Sequence, residues 1–381
     1  MSDKIFLGAI LSNDKNYYIP EFTRFFFAGS SLRNDLSKET LSNNNVLYTN
    51  DFIVNAEEKT VIIAGGSSTT SPQIIKQHYS TQVGRTHSDV IWSFSGHNNI
   101  VYSILLDSEG YLYSSGYDEA VRKSFEGSQL WVFTSPTAKI EQIVFSNDGN
   151  IIANAGNSGL YKINKENGKQ IWHNNTEASS FLKQGVGAWG GNIYCISSDR
   201  RAINVLNSDT GEFIKTIAET NSNISNLVIK NDFLYFSFEG EIHKIDLVSE
   251  DTIWIHYLIV TLSSQTPSEL SVSDDGFVYF TINGFSLSGR QTTAMNSRSH
   301  LMRLNSDGKI FTWDAEGWFW NLEFSSGVNS EGSRRIKTST TGNLFWSLSR
   351  QVKEYNFETF KDEDAKTYNK FKQSDNFVRV Y

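Results

Sequence analysis

Histidine, serine and aspartate crowd the stretch "HSDVIWSFSGH", residues 87–97, and these types are the raw material of an activated hydroxyl. His87, Asp89, Ser95 and His97 stand close in sequence, but no Gly-x-Ser-x-Gly bend holds the serine as a nucleophile needs. All three types are common at strand ends, so this stretch reads as structural. Asp148, Asp209, Asp275 and Asp307 fall in tight turns, where the carboxylate accepts local backbone hydrogen bonds; they show no metal spacing. The seven histidines, His78, His87, His97, His173, His243, His256 and His300, form no His-x-x-x-His or Glu-paired pattern. "GSSTTS" and "GVGAWGG" lack the lysine of a phosphate loop and the helix that should follow it. The single cysteine, Cys195, excludes an intramolecular disulfide and a thiolate metal cage. No catalytic, cofactor or metal residue is assigned, and the expectation is a protein that binds rather than catalyses.

Candidates for binding are aromatic or lie in irregular segments. "AEGWFWNLEF" puts Trp318 and Trp320 on one strand face and Phe319 on the other, a pattern that suits packing. Trp189 lies in a Gly-rich loop, "GAWGGN", and is the better candidate contact, since exposed indoles anchor interfaces and stack on sugar rings. "SLSGRQTTAMNSRSH", residues 286–300, is a polar insertion with Arg290 and Arg298, either a tolerated excursion or a recognition loop. Near the start, Arg24, Phe25, Phe26 and Phe27 form a run too apolar to stay bare; it is either a plug on its own core or a docking segment.

These candidates need a scaffold, and the bulk properties bound it. The 381 residues are 39% hydrophobic and 13% aromatic, enough for a large core with strand-favouring side chains. A net charge of -8 with no basic block argues against nucleic acid as a partner. The N-terminal apolar run is too short for a secretory signal, and no window is long and apolar enough for a membrane span.

A repeat organises the chain. Gly110, Gly149, Gly191, Asp232, Gly276 and Gly342 each open an apolar–aromatic strand, at spacings of 39, 42, 41, 44 and 66 residues. Lys59 opens a seventh copy 51 residues upstream of Gly110. A second phrase follows each first one, as in "GLYKINKENGKQIW", "AINVLNSDTGEFIK" and "EIHKIDLVSEDTIW". Trp92, Trp131, Trp172, Trp254 and Trp313 end these phrases at matching places, and Lys215 replaces one. Four short alternating segments per unit, divided by Gly, Asn and Asp turns, predict four antiparallel strands. Such a unit cannot bury both faces alone, so the units stack on one another, around an axis as propeller blades or, as the competing arrangement, in a continuous solenoid. The expectation is an all-β, single-ring β-propeller of about seven blades over residues 44–381. Residues 1–43 form an extension, and one of its strands joins the last blade to close the ring.

"YKINKENGKQIW" and "NVLNSDTGEFIK" resemble the quinoprotein-dehydrogenase-type, PQQ-like propeller repeat. The resemblance runs from Val61 to about Tyr368 and implies that each tryptophan docks on the neighbouring blade as a staple. It implies fold rather than chemistry: dehydrogenases of that class use a calcium beside a catalytic aspartate, the best-known ones also adjacent cysteines, and one cysteine makes an adjacent pair impossible. "RFFFAGSSLRNDL" resembles the opening of tail proteins from phages of Gram-positive bacteria. The first expectation is therefore a non-enzymatic phage virion protein of the tail or baseplate, engaged in assembly or host attachment. Its partners would be other subunits of a large assembly and a host cell-surface glycan. The alternative is a cellular, cytoplasmic or exported interaction scaffold similar to the propeller that assists outer-membrane protein assembly. A propeller enzyme with an axial site is the third reading.

Overall fold

The computed structural model describes residues 10–11, 17–18, 39–40, 49–55, 57–58, 60–66, 73–78, 90–176, 182–257, 267, 269–283, 299–308, 322–324, 335–338, 344–348 and 351–355. Three short strands come first: β1 (Ile10–Leu11) and β2 (Tyr17–Tyr18), which pair with each other, and β3 (Glu39–Thr40). Seven four-stranded antiparallel sheets follow, each a blade. Blade one is β4 (Thr49–Asn55), β5 (Thr60–Gly65), β6 (Ile74–His78) and β7 (Val90–Phe94). Blade two is β8 (Val101–Leu106), β9 (Leu112–Gly116), β10 (Val121–Phe125) and β11 (Ser128–Phe133). Blade three is β12 (Gln142–Phe145), β13 (Ile151–Asn154), β14 (Leu160–Ile163) and β15 (Gln170–Asn174). Blade four is β16 (Val186–Trp189), β17 (Asn192–Ile196), β18 (Ala202–Asn207) and β19 (Phe213–Glu219).

Blade five is β20 (Ile224–Lys230), β21 (Phe233–Phe238), β22 (Glu241–Asp246) and β23 (Thr252–Tyr257). Blade six is β24 (Glu269–Val272), β25 (Val278–Asn283), β26 (Ser299–Leu304) and β27 (Leu322–Phe324). Blade seven is β28 (Arg335–Thr338), β29 (Leu344–Leu348) and β30 (Gln351–Tyr355), with β3 as its outer strand. The seven expected copies are the seven second strands. The ring closes because the chain's early strand β3 pairs with its late strand β30, Glu39 opposite Glu354. The stretch 1–43 therefore supplies part of the last blade rather than lying wholly outside the ring. This also explains why the last unit has no tryptophan phrase: its outer strand comes from the other end of the chain.

The burial pattern follows from stacking. Second strands are buried on both faces because each is covered by blades on two sides; β5, β9 and β13 are buried throughout. The core is accordingly a set of clusters that lie between blades. One runs from Tyr113 and Val121 of blade two to Ile143, Ile151 and Tyr161 of blade three. Another runs from Leu160 and Trp172 of blade three to Ile193 and Leu206 of blade four. Outer strands splay apart and expose one face, leaving Val90, Leu130, Ile171 and Ile253 in solvent. No helix among the described residues is long and apolar enough to cross a membrane.

Candidate functional site

The seams between blades gather most of the described side chains that could do chemistry. Near the axis, six of the seven first strands carry a polar side chain that reaches the next blade, β16 being the exception. Lys337 of blade seven bonds Asp51 Oδ1 at 2.7 Å and donates to the Phe52 carbonyl of blade one. Asp51 Oδ2 in turn accepts the Ile104 N–H of blade two at 2.9 Å. Ser103 Oγ accepts from Ile143 N–H in blade three, and Gln142 Oε1 accepts from Gly185 and Val186 N–H in blade four. Asn226 of blade five donates to the Pro267 carbonyl at the edge of blade six, and Glu269 Oε2 accepts the Ile336 N–H of blade seven. The Gln184 side chain spans further, exchanging both amide bonds with Leu270 of blade six. Side chains so engaged satisfy inner-strand backbone groups that lie against the next blade.

At the rim the joint is aromatic. Trp131 Nε1 donates to the Lys165 carbonyl, Trp172 Nε1 to Ser208 and Trp254 Nε1 to Ser306, each in the next blade's outer turn. Trp92 packs into the apolar cluster that joins blades one and two. A lysine of the third strand stands opposite each of these indoles: Lys76 pairs with Trp92, Lys123 with Trp131, Lys162 with Trp172 and Lys244 with Trp254. Lys123 Nζ lies 4.1 Å from the Tyr111 ring centroid and donates to the Lys165 carbonyl that also receives the Trp131 N–H. Lys162 is only 1% exposed; it donates to the Ser208 carbonyl and pairs with Asp148 at 2.8 Å. Burial raises the Asp148 carboxyl, but the hydrogen bonds from Lys162, Ser146 and Asn150 outweigh it and hold the group well below the usual range. Burial also depresses Lys244, whose ammonium lies over the Phe233 ring. These lysines were not singled out in the sequence, although "YKI", "RKS" and "HKI" repeat them in register.

A hydroxyl–imidazole–carboxylate chain does exist; it keeps His97 from the local stretch but takes its serine and aspartate from elsewhere. His97 Nε2 lies 2.8 Å from Ser114 Oγ, and His97 Nδ1 lies 2.8 Å from Asp118 Oδ1, which Arg122 also pairs through the other oxygen. Burial pushes His97 below the ordinary imidazole range, against the pull of Asp118. Asp118 is lowered: burial raises it, and the His97 and Arg122 contacts overcome that. Ser114 is fully buried within β9, so its hydroxyl meets protein and not substrate. The chain of bonds ties the turn of residues 117–120 to the strand before it. Ser95 does not take part in these bonds, and His87 and Asp89 lie outside the described residues. Among the described residues no group of three or more His, Cys, Asp or Glu could hold a metal.

Trp189 is not a loop residue: it ends β16, opposite Asn192, and the glycines form the turn after it. Its indole N–H donates to Asp232 Oδ1 of blade five at 3.0 Å, so it bridges blades four and five. Trp313, Trp318, Trp320, Arg24, Phe25, Phe26, Phe27, Arg290 and Arg298 all lie outside the described residues.

Comparison with known proteins places this geometry. Among solved structures, the WD40 β-propeller domain of Doa1 matches with a TM-score of 0.57 at 13% identity, over 86% of this chain and 98% of that one. The computationally designed Ika8 protein matches with a TM-score of 0.56 at 12% identity, over 81% and 83% of the two chains. At such identities the likeness is one of fold alone. No curated protein matches the sequence. A family model described as outer membrane protein assembly factor BamB matches residues 81–316, more than half of the chain, across the stapled blades. With its ring of four-stranded blades and recurrent Gly–Trp joints, the chain belongs to that PQQ-like propeller family.

Proposed function

We propose that the chain acts by binding, as a protein-interaction scaffold rather than as an enzyme. The observation that carries this reading is the use made of its reactive side chains. The buried acids and lysines join blades, and the one serine–histidine–aspartate chain found among the described residues is sealed inside blade two. What remains for function is surface. A propeller of this family, described as an assembly factor, fits a rigid ring that presents loops to partner proteins. Its compartment would be the cytoplasm or an export destination. A second reading, a phage tail or baseplate subunit located in the virion, is favoured by the resemblance of "RFFFAGSSLRNDL", which precedes the matched region. On that reading the partners are other subunits and a host cell-surface glycan, and segments 1–38 and 286–300 make the contacts.

Gentle isolation from the native source, with crosslinking and mass measurement, separates the two. A scaffold appears mainly as a monomer with substoichiometric crosslinked partners; a virion subunit appears in a large particle at fixed stoichiometry. A stable monomer that crosslinks to nothing overturns both.

A further inference from the structure

Four of the five outer strands with described side chains carry an indole at the seam; β19 carries Lys215 instead. The change is not isolated. On the third strand, where Lys76, Lys123, Lys162 and Lys244 stand opposite a tryptophan, blade four has Val205 opposite Lys215. In the receiving turn, where blades three and four place Glu166 and Asp209, blade five places Val248, which is 72% exposed. Where those turns have Gly168 and Gly211, blade five has Glu250. All four components of the joint are exchanged together at this one seam. The result is an ion pair between Lys215 and Glu250, with the two side chains 43% and 44% exposed.

The substitution changes the physics of the joint. An indole over a glycine is a buried contact that salt does not weaken, whereas an exposed ion pair is screened. Nor can a neighbouring indole move in as a replacement: a Cβ at Gly168, Gly211 or Gly308 would come within 2.7, 2.7 and 2.4 Å of the covering ring, and Glu250 has such a Cβ. The inner half of the same seam is different. It is held by Trp189 on Asp232, by the Leu227 N–H on the Gln184 carbonyl, and by an apolar cluster from Tyr194 and Val205 to Leu234 and Phe236. We propose that the seam between blades four and five is a salt-responsive joint, whose outer half parts ahead of the other stapled seams while its inner half stays closed. The ring then flexes at one defined place without breaking, whatever partner it carries.

Amide hydrogen exchange of the full-length protein tests this, comparing low salt with about 1 M salt, where the screening length falls to about 3 Å. Peptides covering 213–219 and 246–252 should exchange severalfold faster at high salt. Peptides covering 170–174 and 207–212, at the stapled seam between blades three and four, should not change. Equal exchange at both salt concentrations, or loosening of both seams alike, overturns the proposal, and this comparison needs no variant. The pair of changes Lys215→Trp and Glu250→Gly should rebuild the common joint and abolish the salt response. Either change alone also removes the ion pair and with it the salt response, but should leave the outer seam exchanging fast at both salt concentrations. The indole introduced by Lys215→Trp would meet the Glu250 Cβ, and Glu250→Gly would leave Lys215 without its acid. A double variant that keeps the salt response also overturns the joint.

Discussion

Gly211 and Glu250 occupy the same place in successive blades, and both have a left-handed backbone, at φ of +74° and +64°. Glu250 shows that a side chain tolerates that conformation here, so the backbone alone does not require glycine at 211. Space does: Trp172 covers Gly211 and donates its N–H three residues upstream. Trp172→Ala should therefore cost about 3–5 kcal/mol, as large aromatic truncations in cores do. Ile171→Ala, on the exposed side of the same strand, should stay within about 0.5 kcal/mol. Denaturant midpoints compare the two, and similar shifts would mean that the indole does not hold the blades together. The histidines give a second residue-scale test. Burial pushes His256 down to about 4, against a hydrogen bond with the Gly308 backbone, and pushes His97 down as well. The fold keeps both neutral, while the unfolded chain takes up protons below about pH 6.5. The unfolded state then binds more protons, so stability falls as the pH drops from about 6.5, and the His256 share is fully lost near pH 4. Urea midpoints should drop between pH 7.5 and 5, and His256→Gln should drop less than the parent; a flat parent profile contradicts this.

At the scale of elements, all first strands but β16 carry polar side chains that bond the neighbouring blade. Asp51 is the busiest, tying Lys337 on one side to the Ile104 N–H on the other. Asp51→Ala leaves a buried donor and a lysine without their acceptor and should cost about 3–5 kcal/mol. Ser103→Ala removes one long bond of 3.3 Å and should cost about 1 kcal/mol. Equal losses, measured by thermal or urea unfolding, would mean that the inner belt is not what closes the ring. Much of this architecture was legible in the sequence, because period-2 strands and turn glycines are local signals, and the regular spacing of the second strands reports blade number directly. The tryptophans were legible for the same reason. The inner belt was not, although a polar residue directly precedes "FIV", "ILL", "IVF" and "LVI" in turn. Its partners lie a whole blade away, and a single residue type does not recur: Asp51, Ser103, Gln142 and Asn226 do one job with four chemistries. The His97 chain was missed by the same logic, since Ser114 on β9 and Asp118 in the turn after it follow the histidine by 17 and 21 residues, and only the fold brings them together. Trp189 was misread because adjacent glycines signal a loop, and here they form the turn of a tight hairpin.

For the whole molecule, the decisive contact is the shortest. β3 is two residues long, yet it is what makes blade seven four-stranded and links the start of the chain to its late strands. Everything between β3 and β30 is enclosed by that pairing, so loss of β3 leaves β30 as an open edge while six blades keep four strands each. This separates two roles within the first 43 residues. Removing residues 1–38 spares β3; removing residues 1–43 takes it away. The shorter deletion should leave the thermal midpoint within about 2 °C of the parent, and the longer one should lower it measurably more, since about 1 kcal/mol corresponds to about 2–4 °C for 150–250 residues and to less in a larger chain. The longer deletion should also promote association through the exposed edge, read as a rise in mass with concentration. Partner capture should behave in the opposite order. If Arg24 to Phe27 belong to a docking segment, the shorter deletion already abolishes crosslinking to partners while the ring stays folded. A shorter deletion that destabilises the ring as much as the longer one would place the aromatic run on the propeller itself. A shorter deletion that leaves both stability and crosslinking intact would move the search for the contact surface to residues 286–300.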